Sequence, residues 1–497
     1  MKNLFSNVRG DLFGGITAGI VALPLALAFG VSSGLGPDAG LYGAIFISFF
    51  AALFGGTPTQ ISGPTAPMTA VSMVVIAGII AANNGDVEKA LPIILTVFLL
   101  SGLMQIGLGA AGLGKYIRYI PYPVVSGFMT AIGVIILVTQ ILPSIGYNAK
   151  EDVEFVKQFE TQVEEVVLNR YLKDTKNNND TKTLTLGDFK NAVSEGESII
   201  EADIIKESKN LASKEASGVL GTIKVLPRAL KFINWLELIL ALGTIFIIYG
   251  FKRITTAVPS TLVALVVMTG ISVGFGLNYR PIEEIPTGFP IPNLGIFTEF
   301  SLSSLTPYIF TALTLALLGA IDSLLTSVVA DNMTKTKHKP NKELVGQGIG
   351  NSIAAVFGGI PGAGATIRTV VNINSGGKTK LSGMIAGLML LVILLGLGPI
   401  ASKIPAAVLA GILVTVGIGV MDYKGLKAIP NLPRDIKVVG VKLSSEVIIM
   451  IVVLLLSTFW NLVYAVGIGL VIASLMFMKK IGDLTAQQSK VTSLKEE

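Results

Sequence analysis

A chain of 497 residues that is 51% hydrophobic and only 14% charged is too apolar for a soluble globular protein, in which about a quarter of the residues are charged. It has no cysteine, which excludes a disulfide framework and a thiolate metal site. Its net charge of +6 comes from basic residues near the ends of apolar runs, so nucleic acid is not an expected partner. Runs of about 20 apolar residues predict a polytopic membrane protein in a lipid bilayer.

Fourteen apolar segments are predicted to cross the membrane, two of them short. They lie at 12–33, 41–56, 65–82, 90–113, 119–143, 235–251, 256–276, 307–331, 344–359, 366–376, 382–400, 403–421, 444–457 and 461–478. The predicted fold class is therefore an all-α polytopic membrane protein. Its predicted divisions are segments one to five in 1–146, a polar insert at 147–230, segments six to fourteen in 231–478, and a short cytoplasmic tail at 479–497.

The positive charges predict the orientation. With the N-terminus inside, the inside loops hold basic clusters such as Lys335, Lys337, Lys339 and Lys342, whereas the outside loops hold few. We therefore expect a multi-pass protein of the cell inner (plasma) membrane with both termini in the cytoplasm. The insert at 147–230, with helical character around 151–172, then lies outside. A solvated surface insert is the simpler interpretation, and a partner-binding role is the alternative.

One short passage occurs twice along the chain. The stretch AALFGGTP at 51–58 returns as AAVFGGIP at 354–361, with six identities in eight positions. The copies end the second and the ninth predicted segments, and an odd number of spans between them turns the second copy upside down in the membrane. Inverted repeats of this kind are typical of secondary transporters.

Each copy leads into residues that break a helix. Thr59–Pro67 and Gly362–Arg368 are rich in Gly, Pro, Ser and Thr, at a depth where irregular backbone is tolerated only inside the protein or beside a cavity. Each break is followed by a predicted half-helix, in segments three and ten. Two half-helices that begin near the midplane from opposite sides direct their N-termini at one place, which favours an anion.

Two charged residues lie inside predicted spans. Asp322 is in mid-span, and a carboxylate there is a functional candidate by default. Thr326 is one helical turn away, so the pair suits Na⁺ or a proton; a structural ion pair or a capped helix end is the alternative. Arg368, near the start of segment ten, suits an oxyanion, or it neutralises Asp322, or both. We expect Glu237, Asp331, Glu343 and Glu446 to be interfacial.

Four passages carry a resemblance to a known family: DLFGGITAGIVALPLALAFGVSSG, AALFGGTPTQISGPTAPMT, IDSLLTSVVADNMTKTKHKPNKELVGQGIGN and GGIPGAGATIRTVVNINSGGKT. Together they resemble the SulP family of inorganic anion transporters, and within it the BicA-type, sodium-dependent bicarbonate transporters. The resemblance implies fourteen segments in two inverted seven-segment repeats, divided into a core and a gate domain that move like an elevator. We expect a homodimer.

The resemblance also implies the site residues. Thr65 and the start of segment ten, at Gly364, Ala365 and Thr366, correspond to the family's anion site, to which the analysis above adds Arg368. Asp322 and Thr326 stand where the BicA type binds Na⁺, which is the expected coupling ion; no cofactor is expected.

The expected function is Na⁺-coupled bicarbonate symport, with a sulfate transporter of the same family, Na⁺- or H⁺-coupled, as the alternative. An uncoupled anion exchanger or channel is a second class. The chain departs from the expected pattern in its long insert and in ending at Glu497, naturally or by truncation, without the cytosolic STAS domain usual in the family. Arg368 matches a basic residue common across the wider family but is not expected in the BicA type, so it favours substrates other than bicarbonate. An enzyme is not expected, because no phosphate-binding loop, zinc-binding helix motif or nucleophile elbow occurs.

Overall fold

In this computed structural model the described residues are 4–83, 87–117, 121–161, 215–255, 259–282, 288–298, 306–428 and 441–460, with shorter pieces between 163 and 213, at 285, at 436–438 and between 464 and 478. The first half contains α1 (Val8–Ser33), α2 (Pro37–Phe54), β1 (Ser62–Gly63), α3 (Ala66–Ala82), α4 (Val87–Ala110), α5 (Gly114–Ile117), α6 (Tyr122–Thr139), α7 (Ile141–Ser144), α8 (Gly218–Ala229), α9 (Trp235–Ile254), α10 (Ser260–Gly274) and α11 (Gly295–Thr298).

The second half begins with a 3₁₀ turn at Thr306–Tyr308. It continues with α12 (Ile309–Thr334), α13 (Pro340–Val356), β2 (Ala363–Gly364), α14 (Thr366–Asn374), α15 (Lys380–Ala401), α16 (Ala406–Val420), α17 (Tyr423–Ala428), β3 (Ile436–Val438), β4 (Val441–Leu443) and α18 (Ser445–Phe459). Apart from the antiparallel pairs β1–β2 and β3–β4, the described chain is helical, as the apolar runs predict.

Local sequence explains where the helices end. Gly34 closes α1 with a left-handed backbone (φ 88°) that glycine adopts without strain, and Pro37 opens α2 at a position where no N–H is needed. The side chain of Asn234 accepts hydrogen bonds from the backbone N–H groups of Leu236 and Glu237 and so caps α9. Glycine, proline and asparagine therefore separate apolar runs that would otherwise be continuous.

The helices are built for a bilayer. Within the described residues, six helices of at least 18 residues are apolar enough to span a membrane, and several shorter ones are apolar as well. On α9, Ile239, Leu242 and Phe246 are 61%, 55% and 78% exposed. Apolar surfaces of this extent are unfavourable in water and are satisfied by lipid.

The helices form two groups that pack mainly among themselves. Group A comprises α1–α5 and α11–α15, and group B comprises α6–α10, α16 and α18. The groups meet mainly through α1 and α3, which contact α6, α10 and α16. Within group A, Gly40 of α2 lies against the backbone of α1 at Ala26 and Gly30, where a Cβ would not fit. Small residues therefore set the close approach of these helices.

The bounds predicted for segment three, 65–82, agree with α3, which belongs to the shorter apolar helices and not to the six long ones. Helix α3 has 17 residues, about 26 Å at 1.5 Å per residue, because the apolar run after the break continues to Ala82. Helix α14 is shorter than α3, with nine residues, and it ends at Asn374, before Ser375 and Gly376. The polar insert also contains the 12-residue helix α8, which its composition did not predict. Of the helix expected around 151–172, residues 153–161 and 163–164 are helical, and 162 and 165–172 lie outside the described residues.

Candidate ion and anion site

The two broken segments meet in a short antiparallel strand pair. Ser62 pairs with Gly364 and Gly63 with Ala363, and the N–H of Ala365 donates to the carbonyl of Ile61 at 2.8 Å. Helix α3 begins three residues after Gly63, and α14 begins two residues after Gly364. Two helix N-termini from opposite halves of the chain therefore start beside one another.

One turn of α12 contacts both broken segments. The hydroxyl of Thr65 donates to the Oδ2 of Asp322 at 2.9 Å. The hydroxyl of Thr326 lies 2.9 Å from the Gly364 carbonyl oxygen, to which it donates, and 2.8 Å from the Thr366 hydroxyl. The structure therefore brings Thr65, Asp322, Thr326, Gly364 and Thr366 into one cluster of oxygen atoms.

The cluster lies at a surface of the fold rather than in its interior. Thr65 and Thr326 are buried, Asp322 and Ala365 are half-buried, and Thr366 is exposed. Ala365 precedes the first turn of α14 in extended backbone. A solute can therefore approach the carboxylate and the start of α14 from one side while the other side is held by packed helices.

Arg368 lies in the same region but does not contact Asp322. Its side chain is 1% exposed, its Nη2 donates to the carbonyl of Pro64 at 3.1 Å, and a Cβ on Gly63 would lie 2.7 Å from its Nη1. Among the described residues, its Nε and Nη1 have no hydrogen-bond partner, and no ion pair joins it to Asp322. The guanidinium thus extends from α14 to the start of α3, and two of its nitrogens remain available to donate hydrogen bonds.

Ser323 is a contact that the sequence did not single out. Its hydroxyl accepts a hydrogen bond from the N–H of Gly364 at 3.0 Å and donates to Gly319 at 2.6 Å. Together, Ser323 and Thr326 bind both backbone polar groups of Gly364. Helix α12 therefore fixes the position of the Gly364 carbonyl. The sequence signal for Ser323 is that its hydroxyl stands next to an intramembrane acid, Asp322.

A buried polar network continues from this turn. The carboxylate of Glu343 accepts four hydrogen bonds, from the backbone N–H groups of Gly56 and Thr57 and from the side-chain amides of Gln60 and Gln347. The hydroxyl of Ser327 donates to Gln60 at 2.9 Å, which connects the network to α12. Glu343 thus orders the first broken segment from the neighbouring helix α13.

Glu343 and Glu237 lie in the first turns of α13 and α9, near the span ends where the sequence places them, and their side chains are buried within the protein. Their exposed fractions are 1% and 2%, because each carboxylate finds backbone donors: Glu343 at the end of α2, and Glu237 at the N–H of Arg280, 2.6 Å away. A buried carboxylate is stable only with such donors, and the residues that supply them are distant in sequence.

The chemistry of the cluster fits a hard monovalent cation next to an anion. Carboxylate, hydroxyl and unwound-backbone carbonyl oxygens are the ligands that transporters use for Na⁺, and helix N-termini are those used for anionic groups. The described residues contain no group of three His, Asp or Glu side chains that would hold a metal ion. A helical membrane protein in which two broken segments meet at such a cluster belongs to the class of membrane transporters.

Comparison with known proteins gives the family. A model of the sulfate permease family matches residues 8–170 and 199–439. The chain is 40% identical over 492 residues to the bicarbonate transporter BicA of a Synechocystis species, covering 98% of this chain and 73% of that protein. It is 26% identical over 395 residues to sulfate transporter 4.1, chloroplastic, of Arabidopsis thaliana, covering 77% and 47%.

A solved structure matches nearly the whole chain. The transmembrane domain of a cyanobacterium bicarbonate transporter BicA gives a TM-score of 0.71 at 39% identity, covering 93% of this chain and 98% of that one. The chain therefore belongs to the sulfate permease family of anion transporters, and the resemblance seen in the sequence motifs is confirmed.

Proposed function

We infer that this chain is a secondary active transporter that moves bicarbonate together with Na⁺. The observation that carries this is the α12 turn, in which Asp322 and Thr326 contact Thr65 of one broken segment and Gly364 and Thr366 of the other. A cation on this turn is in direct contact with both segments, so its binding affects the place where an anion binds. The similarity to BicA supports bicarbonate as the anion.

Asp322 and Thr326 are the proposed Na⁺ ligands. The carboxylate supplies a full negative charge, and the Thr326 hydroxyl and the neighbouring Gly364 carbonyl supply neutral oxygens. Na⁺ neutralises a carboxylate that is costly to keep charged at this depth. Among the described residues no basic side chain forms an ion pair with Asp322, so its negative charge is available to a cation.

The proposed anion site consists of Thr65, Gly364, Ala365, Thr366 and Arg368. Helix N-termini attract an anion through their unpaired N–H groups and the helix dipole, each contributing about 0.3–1 kcal/mol and up to about 2 kcal/mol when partly buried. Arg368 adds a full charge, and its two unpartnered N–H-bearing nitrogens, Nε and Nη1, are suited to an oxyanion. The site then binds its substrate without needing a second basic residue.

The proposed architecture is fourteen segments in two inverted repeats, with group A as the core and group B as the gate. The order of elements supports it, since α1, α2, β1 and α3 recur as α12, α13, β2 and α14, and α1 and α12 have 26 residues each. The antiparallel pairing of β1 with β2 supports opposite orientation of the two halves. Because the groups meet mainly through α1 and α3, an elevator-type movement of one against the other disrupts few contacts.

We place the protein in the cell inner membrane with both termini in the cytoplasm and expect a homodimer. The basic residues that follow α12, from Lys335 to Lys342, support this orientation. The residues 147–230 are then extracytoplasmic. No step of this function requires enzymatic chemistry.

Sulfate is the second candidate substrate, because of Arg368. A divalent oxyanion gains more from a planar, charged donor group than a monovalent one does, and a relative named as a sulfate transporter matches 77% of this chain. An uncoupled exchanger or channel would need no cation at Asp322.

Uptake into proteoliposomes tests the proposal. Purified protein is assayed with radiolabelled bicarbonate or sulfate, with and without an inward Na⁺ gradient, and with protein-free vesicles as the control. We expect saturable bicarbonate uptake that collapses without Na⁺. Uptake of sulfate alone would favour the second substrate, and currents that do not depend on Na⁺ would favour a channel.

A further inference from the structure

A cavity of about 550 Å³ lies between the two helix groups, away from the candidate site. From group A it is lined by the end of α1 and by α3, including Met73 and Ala77; from group B it is lined by α6, α7 and α16, including Gln140 and Leu409. None of the proposed ligands of Na⁺ or of the anion lines it. It therefore lies where the groups would move against each other.

Part of the insert forms the roof of this cavity. We name residues 147–161 and 215–229 the cap. The cap residues at the cavity wall come from both of its parts: Tyr147, Asn148, Lys150, Ala216, Ser217 and Thr222. Separating the two parts would open the cavity from the side of the insert.

The cap is attached to group B. Its apolar cluster contains Phe155 and Val225 from the cap and Leu142 and Ile145 from α7 and the residue after it. Helix α8 packs against α6, α7 and α18, and the N–H of Asn234 donates to the carbonyl of Ile145 at 3.0 Å. The cap and group B therefore form one packed unit, whereas α1 and α3 belong to the other.

A half-buried ion pair holds the two parts of the cap together. The Nε and Nη2 of Arg228 donate to the two carboxylate oxygens of Asp152 at 2.5 and 2.6 Å, and Tyr147 donates to Asp152 at 2.9 Å. The guanidinium carbon lies 5.8 Å from the ring centre of Phe155 and 5.7 Å from that of Phe232. We name the Asp152–Arg228 pair the clasp. Hydrogen bonds from Arg228 lower the pKa of Asp152 to about 2, so the clasp stays charged near neutral pH.

We propose that the cap is a lid over the outer entrance between the two helix groups, held closed by the clasp. The proposal rests on the topology and the movement of group A given under the proposed function. Because the cap is attached to group B, the ends of α1 and α3 move beneath a stationary roof. Solutes reach the cavity from outside when the two parts of the cap separate. The lid thus controls access without contributing a ligand to the site.

Thiol labelling tests the lid, and the natural absence of cysteine makes each introduced thiol unique. Ala77→Cys places a thiol on the cavity wall, and Val153→Cys places one on the outer surface of the cap, where Val153 is 66% exposed. A membrane-impermeant maleimide is applied outside intact cells, with and without Arg228→Ala. We expect the clasp variant to accelerate labelling at position 77 about tenfold, since charge-assisted hydrogen bonds are lost, and to leave position 153 unchanged.

Lys224→Ala is the matched control, because it breaks another ion pair of α8, that of Lys224 with Glu215 at 2.6 Å, which is exposed on both sides. It should leave both labelling rates unchanged. Asp152→Asn removes the charge of the other residue of the clasp. It is used instead of Arg228→Ala if the Arg228→Ala protein does not insert into the membrane. Equal labelling of position 77 with and without the clasp would overturn the lid. Absence of external labelling at position 153 would overturn both the lid and the proposed topology. Failure of the uptake assay would leave the labelling rates at positions 77 and 153 unaffected.

Discussion

Asp322 and Arg368 lie near the starts of α3 and α14, yet they have different partners. Asp322 accepts a hydrogen bond from the Thr65 side chain, and Arg368 donates to the Pro64 carbonyl. A cation at the first and an anion at the second would occupy neighbouring, separate positions. Mutual neutralisation, one of the interpretations of the sequence, is not the arrangement in this structure. The geometry favours coupling through the shared backbone of β2.

Removal of the Asp322 charge tests the cation site. We expect Asp322→Asn to abolish Na⁺-dependent uptake while the protein still inserts, because the amide is nearly the same size but neutral. Thr326→Ala should raise the Na⁺ concentration for half-maximal uptake roughly fivefold, since one hydroxyl contributes about 1 kcal/mol. Initial rates against Na⁺ concentration measure both effects.

Asp331→Asn is the control for this charge, since Asp331 lies nine residues further along α12 and pairs with His338. It should retain the normal Na⁺ dependence. Intact Na⁺-dependent uptake in Asp322→Asn would show that the cation binds elsewhere.

The coupling of the two ligands can be assigned to residues. Bound Na⁺ should raise the affinity for the anion, and bound anion should raise the affinity for Na⁺ by the same factor. We expect Arg368→Met to weaken anion binding by roughly tenfold or more, since a charged donor is lost, while the factor by which Na⁺ improves it is kept. Ser323→Ala should reduce that factor, because it frees the Gly364 N–H from α12. Anion affinity measured at several Na⁺ concentrations separates the two variants. Loss of the factor in Arg368→Met would show that the arginine, and not the β2 backbone, couples the two ligands.

Among the elements, the strand pair β1–β2 is buried and closely packed. A Cβ on Gly364 would lie 2.7 Å from the Cδ of Gln60 and 3.1 Å from the Cα of Ser323. We expect Gly364→Ala to separate β2 from α12, to abolish transport and to destabilise the protein by about 1–3 kcal/mol. Thermal unfolding in detergent and uptake measure the two effects.

Gly78→Ala is the paired control, because a Cβ there meets no atom within 4 Å. In the middle of α3 it should stabilise the protein by up to about 1 kcal/mol and leave uptake unchanged. Normal uptake by Gly364→Ala would mean that this close approach is unimportant for function.

The elements also show how far sequence reasoning reaches. For the first thirteen segments, the apolar runs predicted the bounds of the described helices to within a few residues, because a bilayer demands length and apolarity from each segment by itself. That all fourteen segments span the membrane stays a prediction. Apolar runs did not predict α8, because it is an amphipathic helix in a polar insert. Such a helix is stabilised by the helices against which its apolar face packs. At the site, Asp322 and Thr326 are recognisable as polar residues in an apolar run. The roles of Glu343 and Gln60 cannot be predicted from the sequence, because their contact depends on α2 and α13 packing side by side.

The clasp predicts how the cap responds to acid. Because the folded pKa of Asp152 is about 2, below its ordinary value of 3.8, its contribution to stability is complete above pH 3.8 and is lost as the pH falls through about 2. Hydrogen exchange of 218–229 should be slower in the wild type than in Asp152→Asn at neutral pH, and the difference should vanish toward pH 2. A difference that vanishes already above pH 3.8 would mean that the Asp152 pKa is not lowered.

At the scale of the whole molecule, the two helix groups are bridged near the cavity by a long hydrogen bond from Gln140 of α6–α7 to Ser32 of α1, 3.4 Å. We expect Ser32→Cys with Gln140→Cys, joined by a short bifunctional thiol reagent, to stop uptake because the groups can no longer move apart. Each single variant with the same reagent is the control. Full uptake by the cross-linked protein would exclude relative movement of the groups at this point.

The pairing of Ser62 with Gly364 has a consequence for biosynthesis. The two residues are 302 positions apart (364 − 62), so at about 5–20 residues per second the first strand waits about 15–60 s for its partner to be synthesised. During that time the backbone groups of the first broken segment lie at membrane depth without their final hydrogen bonds, which is costly in lipid. The nascent first half must therefore be sheltered, by the insertion machinery or by water, until the second half arrives. The site therefore cannot be completed until residues 363–366 have been synthesised.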